Sequence, residues 1–196
     1  MIPPRLVLAT TNRGKLEELR ALVAEWGAAE ILSLADFPGV SGAEETGRSY
    51  LENALAKAGA VASATGLPAL ADDSGLEVEA LGGAPGVRSA RYAPTDAARV
   101  ARLLAELASV PRAARRACFR CVVALARPGG DAVTAEGTCH GWIATAPSGS
   151  GGFGYDPVFV ADELGCSFAA AAPADKQRVS HRARAVRALG ARLAPS

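Results

Sequence analysis

The feature that most constrains this chain is a short apolar run that ends in two adjacent acids. Residues 67–71 (LPALA) are typical of a buried strand, and Asp72 and Asp73 follow directly. A carboxylate taken out of water is heavily penalised unless a metal or a cationic group lies beside it. Because neighbouring side chains of an extended chain point to opposite faces, we expect the two acids to have different roles. The alternative is a solvated turn, since Asp, Ser74 and Gly75 are common turn residues.

Length and charge favour one domain over residues 1–196. The net charge of +1 provides no basic field to attract nucleic acid, and no apolar run approaches the length of a membrane span. The N-terminus leads straight into a strand and lacks the layout of a signal peptide. We therefore expect a cytoplasmic protein that binds neither nucleic acid nor membranes.

Cys118 and Cys121 form a CxxC pair, which can indicate metal or redox chemistry. They lie in a predicted strand, which turns residues three apart to opposite faces. No second CxxC is present to complete a zinc site. We therefore interpret the cysteines as structural and reduced.

Lysine and asparagine are unusually scarce. The 21 basic residues include only three lysines (Lys15, Lys57 and Lys176), and asparagine occurs only at Asn12 and Asn53. Because arginine serves as the general surface cation, the lysines are candidates for sites that need a compact ammonium group.

A polar loop joins a predicted strand at residues 5–10 to a helix that ends near Gly27. Its residues are Thr10, Thr11, Asn12, Arg13, Gly14 and Lys15. Free backbone N–H groups at a helix start, together with a lysine, favour phosphate binding. The spacing is not that of a Walker A loop. The alternative is an ordinary helix cap by Thr11 or Asn12.

A second helix is predicted over residues 49–65, with a capping-box start and with Asn53 and Lys57 on one face. Glu44 and Glu45 precede it. They either complement the helix dipole or supply carboxylates to a magnesium site beside the two aspartates. Further strands are predicted at residues 31–34, 76–80, 115–126 and 132–145, and further helices at residues 95–108 and after residue 182.

Two later segments have ligand-binding character. The loop at residues 147–157 places four glycines around Phe153 and Tyr155, so that backbone can approach a ligand and an aromatic ring can stack on a base. The alternative is a flexible connector whose aromatic rings lie in the core. His181 and Arg182 begin the last helix, where they either donate to a base carbonyl or phosphate or are surface residues.

Seven motifs in order resemble the Ham1/RdgB family, the inosine triphosphate pyrophosphatases. They are Thr10-x-Asn12-x-x-Lys15, Glu44-Glu45-Thr46, Glu52-Asn53-Ala54-x-x-Lys57, Ala71-Asp72-Asp73-Ser74-Gly75, Ser89-Ala90-Arg91-Tyr92, Gly152-Phe153-Gly154-Tyr155-Asp156-Pro157 and Ser180-His181-Arg182. Each motif is weak alone, but the ordered set is specific and the resemblance covers residues 6–193.

The resemblance implies an α/β fold with a long twisted mixed sheet flanked by helices, in two lobes with an active-site cleft between them. It also implies a homodimer that hydrolyses ITP, dITP and XTP to the monophosphate and pyrophosphate. By likeness, residues 10–15 and Lys57 hold the triphosphate and Asp73 is the general base. Glu44 or Glu45 binds Mg²⁺ with Asp73, and Asp72 is a further candidate ligand. Substrate contacts are implied for Ser74, Phe153, Gly154, Tyr155, Asp156, Lys176, His181 and Arg182, with Phe153 stacked on the purine.

Three other classes of protein fit some of these residues. A haloacid-dehalogenase-type phosphatase needs acids in DxD spacing, whereas Asp72 and Asp73 are adjacent. A Maf-like pyrophosphatase shares the reaction type but has a different N-terminal loop. A non-catalytic nucleotide-binding regulator would keep the phosphate loop without a need for paired acids.

Overall fold

The computed structural model describes residues 1–27, 30–43 and 45–194. Six strands form one mixed sheet in the order β2-β1-β3-β4-β5-β6. They are β1 (Arg5–Leu8), β2 (Glu30–Ser33), β3 (Ala69–Val78), β4 (Arg116–Ala126), β5 (Ala132–Ile143) and β6 (Phe159–Ala161). Strand β1 runs parallel to β2 and β3, whereas β6 runs antiparallel to β5. The predicted mixed sheet with flanking helices is confirmed.

The described residues form five α-helices beside the sheet, together with short 3-10 segments. They are α1 (Arg13–Ala24), α2 (Tyr50–Thr65), α3 (Asp96–Glu106), α4 (Pro173–Val179) and α5 (His181–Leu193). The predicted start and end of α2 are confirmed, because Ser49 accepts from the backbone N–H of Glu52 and Gly66 ends the helix in the left-handed conformation. Neither β6 nor α4 was predicted, because each is short and gives a weak periodic signal.

Strand β3 differs most from the sequence prediction. The prediction had a strand ending at residue 71, the two acids at its end, and a second strand from residue 76. Instead, β3 is continuous over ten residues, and both acids lie inside it. Asp72 and Asp73 are 1% and 3% exposed, so the solvated-turn interpretation is wrong. Cationic and amide partners compensate their burial, which composition alone does not reveal.

The chain divides into two compact units, each assembled from separate segments. The first comprises residues 1–73, 121–137 and 181–196, and the second comprises residues 74–120 and 138–180. In the first unit, leucines of α1, β1 and β3 pack with Val186 and Leu189 of α5. In the second unit, the rings of Phe119 and Phe159 meet edge to face, with centroids 4.6 Å apart. Each unit therefore has an apolar core of its own.

Among the residues that the structure describes, no helix has the length and apolar character needed to cross a membrane.

Helix α5 lies close to β5 at Gly137 in the first unit, and this contact predicts how a substitution there would affect stability. A Cβ atom at Gly137 would meet the backbone of His181 and Ala185, whereas one at Gly59 in α2 would meet nothing within 4 Å. We expect Gly137→Ala to destabilise the fold by about 1–3 kcal/mol through overpacking. Gly59→Ala should stabilise it by about 0.5–1 kcal/mol, because alanine is the better helix former. Urea unfolding of both variants measures the difference, and equal midpoints would refute this account.

Candidate functional site

Asp72 is the centre of a buried ion cluster in the first unit. Its Oδ2 atom lies 3.1 Å from Nζ of Lys15 and accepts hydrogen bonds from Nε and Nη2 of Arg182, at 3.1 and 3.0 Å. Nη1 of Arg182 pairs with Glu18 of α1. The two cations come from helices α1 and α5, so this carboxylate joins both helices to β3. All of these contacts lie within one compact unit.

The partners of Asp72 hold it in the ionised state. Burial alone would raise its pKa, but the charges of Lys15, Arg182 and Lys57 hold the pKa of the Asp72 carboxyl far below its usual range. Burial and the Asp72 charge raise the pKa of the nearby Cys121 thiol. That cysteine therefore stays protonated, in agreement with its structural interpretation.

Asp73 faces the other side of β3, toward α2. Its Oδ2 accepts from Nδ2 of Asn53 at 2.9 Å, and its Oδ1 lies 3.4 Å from Nζ of Lys57. The same Nζ donates to Oε1 of Glu45 at 2.7 Å. The expected opposite facing of the two acids is confirmed, while their separate roles stay a prediction. One acid contacts a lysine–arginine pair, and the other contacts an amide and a shared lysine.

The two aspartates also differ in proton affinity. Burial raises the pKa of Asp73, and the nearby Lys57 charge and Asn53 hydrogen bond offset this only in part. Burial would lower the pKa of Lys57, but the charges of Asp72, Asp73 and Glu45 raise it. Asp73 is thus a carboxylate whose negative charge is incompletely compensated, and it can gain from a further cation or a proton.

The start of α1 combines helix capping with the lysine that pairs with Asp72. Asn12 caps the helix, because its Oδ1 accepts from the backbone N–H of Lys15 at 3.0 Å. Thr10 accepts from the backbone of Asn12, and Arg13 pairs with Glu17 at the surface. Thr11 is exposed and Gly14 half-buried. Capping by Asn12 is therefore observed, while phosphate binding by residues 10–15 stays a prediction.

The carboxylates suited to a divalent cation in this unit are Asp73 and Glu45. Both contact Nζ of Lys57, so their oxygens already converge on one positive atom. Within residues 1–27, 30–43 and 45–194, no cluster of three or more His, Cys, Asp or Glu side chains could hold a metal. Glu44 lies outside the described residues. A magnesium ion normally binds one or two carboxylates and completes its coordination shell with phosphate and water oxygens. The pair of Asp73 and Glu45 is compatible with such a site.

The second unit contains an ordered loop around Asp156. The buried Asp156 carboxylate accepts from the backbone N–H of Phe153 at 2.8 Å and from Nζ of Lys176 at 2.5 Å. The same Nζ lies 5.1 Å from the centroid of the Phe153 ring, within cation–π range. A Cβ atom at Gly152 would collide with the Asp156 carboxylate, so glycine is required there. These contacts do not fit a flexible connector, but the expectation that came with it, an aromatic ring in the core, is confirmed for Tyr155.

The aromatic residues of this loop differ in accessibility. Tyr155 is buried, and its hydroxyl donates to the backbone carbonyl of Ser89 at 3.0 Å. Phe153 is half-buried. Gly154 has a left-handed backbone and donates its N–H to Asp96 of α3 at 2.8 Å. Phe153 therefore offers more ring surface to a ligand than Tyr155 does.

The remaining candidate residues lie at the start of α5 and in β3. His181 and Arg182 are buried, so the surface-residue alternative is wrong for both. Ser74 follows Asp73 in β3 and is half-buried. Two contacts of the first unit were not predicted from the sequence. Asn53 donates to Asp73, and Glu18 pairs with Arg182. The scarcity of asparagine was the available signal for Asn53.

Comparison with known proteins gives matches over nearly the whole chain. The model of the Ham1 family matches residues 6–192. A protein of Geobacter sulfurreducens named dITP/XTP pyrophosphatase is 51% identical over 93% of this chain and 92% of its own length. One of the same name from Geobacillus kaustophilus is 50% identical over 92% of this chain and 90% of its own length.

Solved structures give the same result. A HAM1 protein from Coxiella burnetii superimposes with a TM-score of 0.85 at 39% identity, covering 96% of this chain and 98% of that one. A nucleoside-triphosphatase / dITP/XTP pyrophosphatase from Mycobacterium abscessus gives a TM-score of 0.74 at 44% identity, covering 98% and 100%.

The ion cluster of the first unit predicts that Asp72 is essential for stability. In Asp72→Asn, Lys15 and Arg182 lose a buried carboxylate partner, so the free energy of unfolding at pH 7 should fall by about 3–5 kcal/mol. Since the pKa of Asp72 is depressed on folding, its stabilisation is complete above the unfolded value of about 3.9 and is lost as pH falls below it. Denaturant titrations of both proteins between pH 7 and pH 3 measure this difference. Equal stability at pH 7 would show that the cluster contributes nothing.

Proposed function

This chain belongs to the Ham1 family, and we propose that it hydrolyses dITP, XTP and ITP to the nucleoside monophosphate and pyrophosphate. Relatives that share 51% and 50% of its residues over more than nine-tenths of the chain bear the name dITP/XTP pyrophosphatase. The activity would remove these nucleotides before they are incorporated into DNA or RNA. By the same resemblance, we propose a cytoplasmic homodimer.

The observation that carries this proposal is the environment of Asp73. Its carboxylate is buried, lies 3.4 Å from the Lys57 ammonium group and has a raised pKa. A base of raised pKa accepts a proton from water more readily than a solvated aspartate does. We assign Asp73 as the general base: water attacks the α-phosphorus, its proton moves to Asp73, and the bond to the pyrophosphate leaving group breaks.

The lysines would neutralise charge on the triphosphate. Hydrolysis of a phosphoanhydride depends mainly on positioning and on electrostatic stabilisation, since negative charge develops on the leaving group. Lys15 extends from the start of α1, where backbone N–H groups also favour an anion. Asp72 fixes the Lys15 ammonium group from the protein side. We therefore assign Asp72 to the orientation of Lys15 and Arg182 rather than to metal binding.

Asp73 and Glu45 are the described residues that would hold Mg²⁺. Their oxygens share one cation, Lys57, and the charge of Asp73 is incompletely compensated. When bound, Mg²⁺ would supply Lewis-acid neutralisation of the phosphate oxygens. Glu44 is a further candidate from the resemblance. The chain's own residues would bind and orient the phosphates and accept the proton.

Base selection would rest on the 6-oxo group that hypoxanthine and xanthine share. A donor from His181, Arg182 or a backbone N–H would bind this oxygen, whereas the 6-amino group of adenine would meet that donor with a second donor and form no hydrogen bond. An unpaired buried donor costs about 1–3 kcal/mol. Phe153 would stack on the purine, and the Asp156–Lys176 pair orders the loop that carries it.

A pyrophosphate-release assay with dITP, XTP, ITP, GTP and ATP in the presence of Mg²⁺ tests the function directly. We expect release from the first three and much slower release from ATP, because of its 6-amino group. Modified pyrimidine triphosphates should be poor substrates, which separates this activity from a Maf-like one. No release from any nucleotide would favour a non-catalytic binding protein.

Asp73→Asn tests the assignment of Asp73 as the general base. It keeps the side-chain volume but can neither accept the proton nor offer a carboxylate to Mg²⁺, so we expect turnover to fall by about 10²–10⁴-fold or more. Because burial already disfavours the charge of Asp73, its removal should leave stability nearly unchanged, in contrast to Asp72→Asn. Calorimetric titration should show that nucleotide binding is retained. Near-normal turnover would refute the assignment of Asp73 as the base.

A further inference from the structure

The side-chain amide of Asn53 joins two parts of the first unit. Its Nδ2 donates to Oδ2 of Asp73 at 2.9 Å, and its Oδ1 accepts from the backbone N–H of Gly47 at 2.8 Å. Only one orientation of the amide satisfies both partners, because a carboxylate requires a donor and an N–H requires an acceptor. Asn53 is 1% exposed. The orientation of the Asn53 amide is therefore fixed by Asp73 on one side and by Gly47 on the other.

Gly47 is the residue that allows this contact. A Cβ atom at Gly47 would lie 2.5 Å from Oδ1 of Asn53 and 2.9 Å from Cβ of Glu52. Any side chain there would push the segment away from α2. The next residue is also held, because the backbone N–H of Arg48 donates to Oε2 of Glu52 at 2.7 Å. The close approach at Gly47 thus depends on the absence of a side chain.

Anchoring Gly47 restricts Glu45, which lies two residues earlier. Two residues of extended chain span at most about 7 Å, so Glu45 can move only a short distance from the fixed point. On the other side, Asn53 occupies Oδ2 of Asp73, and Oδ1 is the oxygen that faces Lys57. Lys57 contacts both Glu45 and Oδ1 of Asp73. One amide therefore contacts both the Asp73 carboxylate and the segment that carries Glu45.

We propose that Asn53 and Gly47 are positioning residues that set the spacing of Glu45 and Asp73, and thereby tune the affinity of this carboxylate pair for a divalent cation. The inference rests on the proposed function for the identity of the cation. Neither residue takes the proton or contacts the phosphate in this proposal, and Asn53 acts through the Asp73 carboxylate. Loss of a hydrogen bond to a ligating carboxylate typically costs about 10–100-fold in metal affinity.

Hydrogen exchange tests the contact in the protein alone, without metal or nucleotide. The variants are Asn53→Ala and Gly47→Ala. Gly42→Ala is the matched control, because Gly42 precedes α2 in the same connection and a Cβ atom there would meet nothing within 4 Å. We expect the amide of residue 47 to be protected in the wild type and in Gly42→Ala, and to lose at least tenfold of that protection in Asn53→Ala. Unchanged protection would overturn the proposed contact.

Mn²⁺ binding tests whether Asn53 and Gly47 affect the affinity for a divalent cation. Electron paramagnetic resonance of free Mn²⁺, titrated with protein in the absence of nucleotide, gives a dissociation constant for each variant. We expect this constant to rise about 10–100-fold in Asn53→Ala and in Gly47→Ala and to stay unchanged in Gly42→Ala. In the assay, the Mg²⁺ concentration for half-maximal rate should rise while kcat at saturating Mg²⁺ recovers. A merely structural role would not shift the Mg²⁺ requirement in this way.

The outcomes separate this inference from the proposed function. Wild-type protein that binds Mn²⁺ and releases pyrophosphate, with equal Mn²⁺ affinity in Asn53→Ala, would overturn the role of Asn53 and leave the function standing. Asn53-dependent Mn²⁺ binding without pyrophosphate release would support the role of Asn53 and refute the function. Wild-type protein that binds no Mn²⁺ would overturn the inference. Circular dichroism shows which variants are folded, and Gly47→Ala tests the same spacing if Asn53→Ala is not.

Discussion

The buried charge of Asp72 is the constraint on which the rest of the first unit depends. A carboxylate that is 1% exposed needs cations at close range, and Lys15 and Arg182 provide them. Because these two residues begin separate helices, their shared partner fixes the starts of α1 and α5 on β3. Breaking such a pair leaves uncompensated charge in the interior, which is far more costly than the net stabilisation of the intact pair. The ion cluster therefore enforces a geometry as much as it adds stability.

Adjacent residues of one strand acquire opposite chemistry by facing opposite sides. Asp72 faces two cations and stays ionised, whereas Asp73 faces an amide and a lysine shared with Glu45. Desolvation raises the pKa of both acids, and the nearby cations overcome this effect at Asp72 but not at Asp73. Strand alternation thus makes one carboxylate a fixed anion and leaves its neighbour able to exchange a proton or accept a cation. Both acids lie within one continuous strand.

The second unit uses a buried carboxylate in the same way. Asp156 accepts hydrogen bonds from the Phe153 backbone and the Lys176 side chain. These bonds order a loop whose high glycine content alone would suggest flexibility. Because Gly152 has no side chain, its backbone can lie close to the Asp156 carboxylate. In each unit a buried acid binds a cation from a helix, and its charge helps to hold that helix in place.

The sequence by itself determined most of the helices and strands, though not β6 or α4, and also the ends of α2, the opposite facing of the two aspartates and the family. These follow from local rules: periodicity, helix caps, strand alternation and ordered motifs. It did not reveal that β3 continues through the acids, that Arg182 and Glu18 complete the Asp72 cluster, or that Asn53 bridges Gly47 and Asp73. Those contacts join residues as far as 164 positions apart, as between Glu18 and Arg182. Only the tertiary structure decided them, because burial and its compensation depend on which distant groups the fold brings within hydrogen-bond distance.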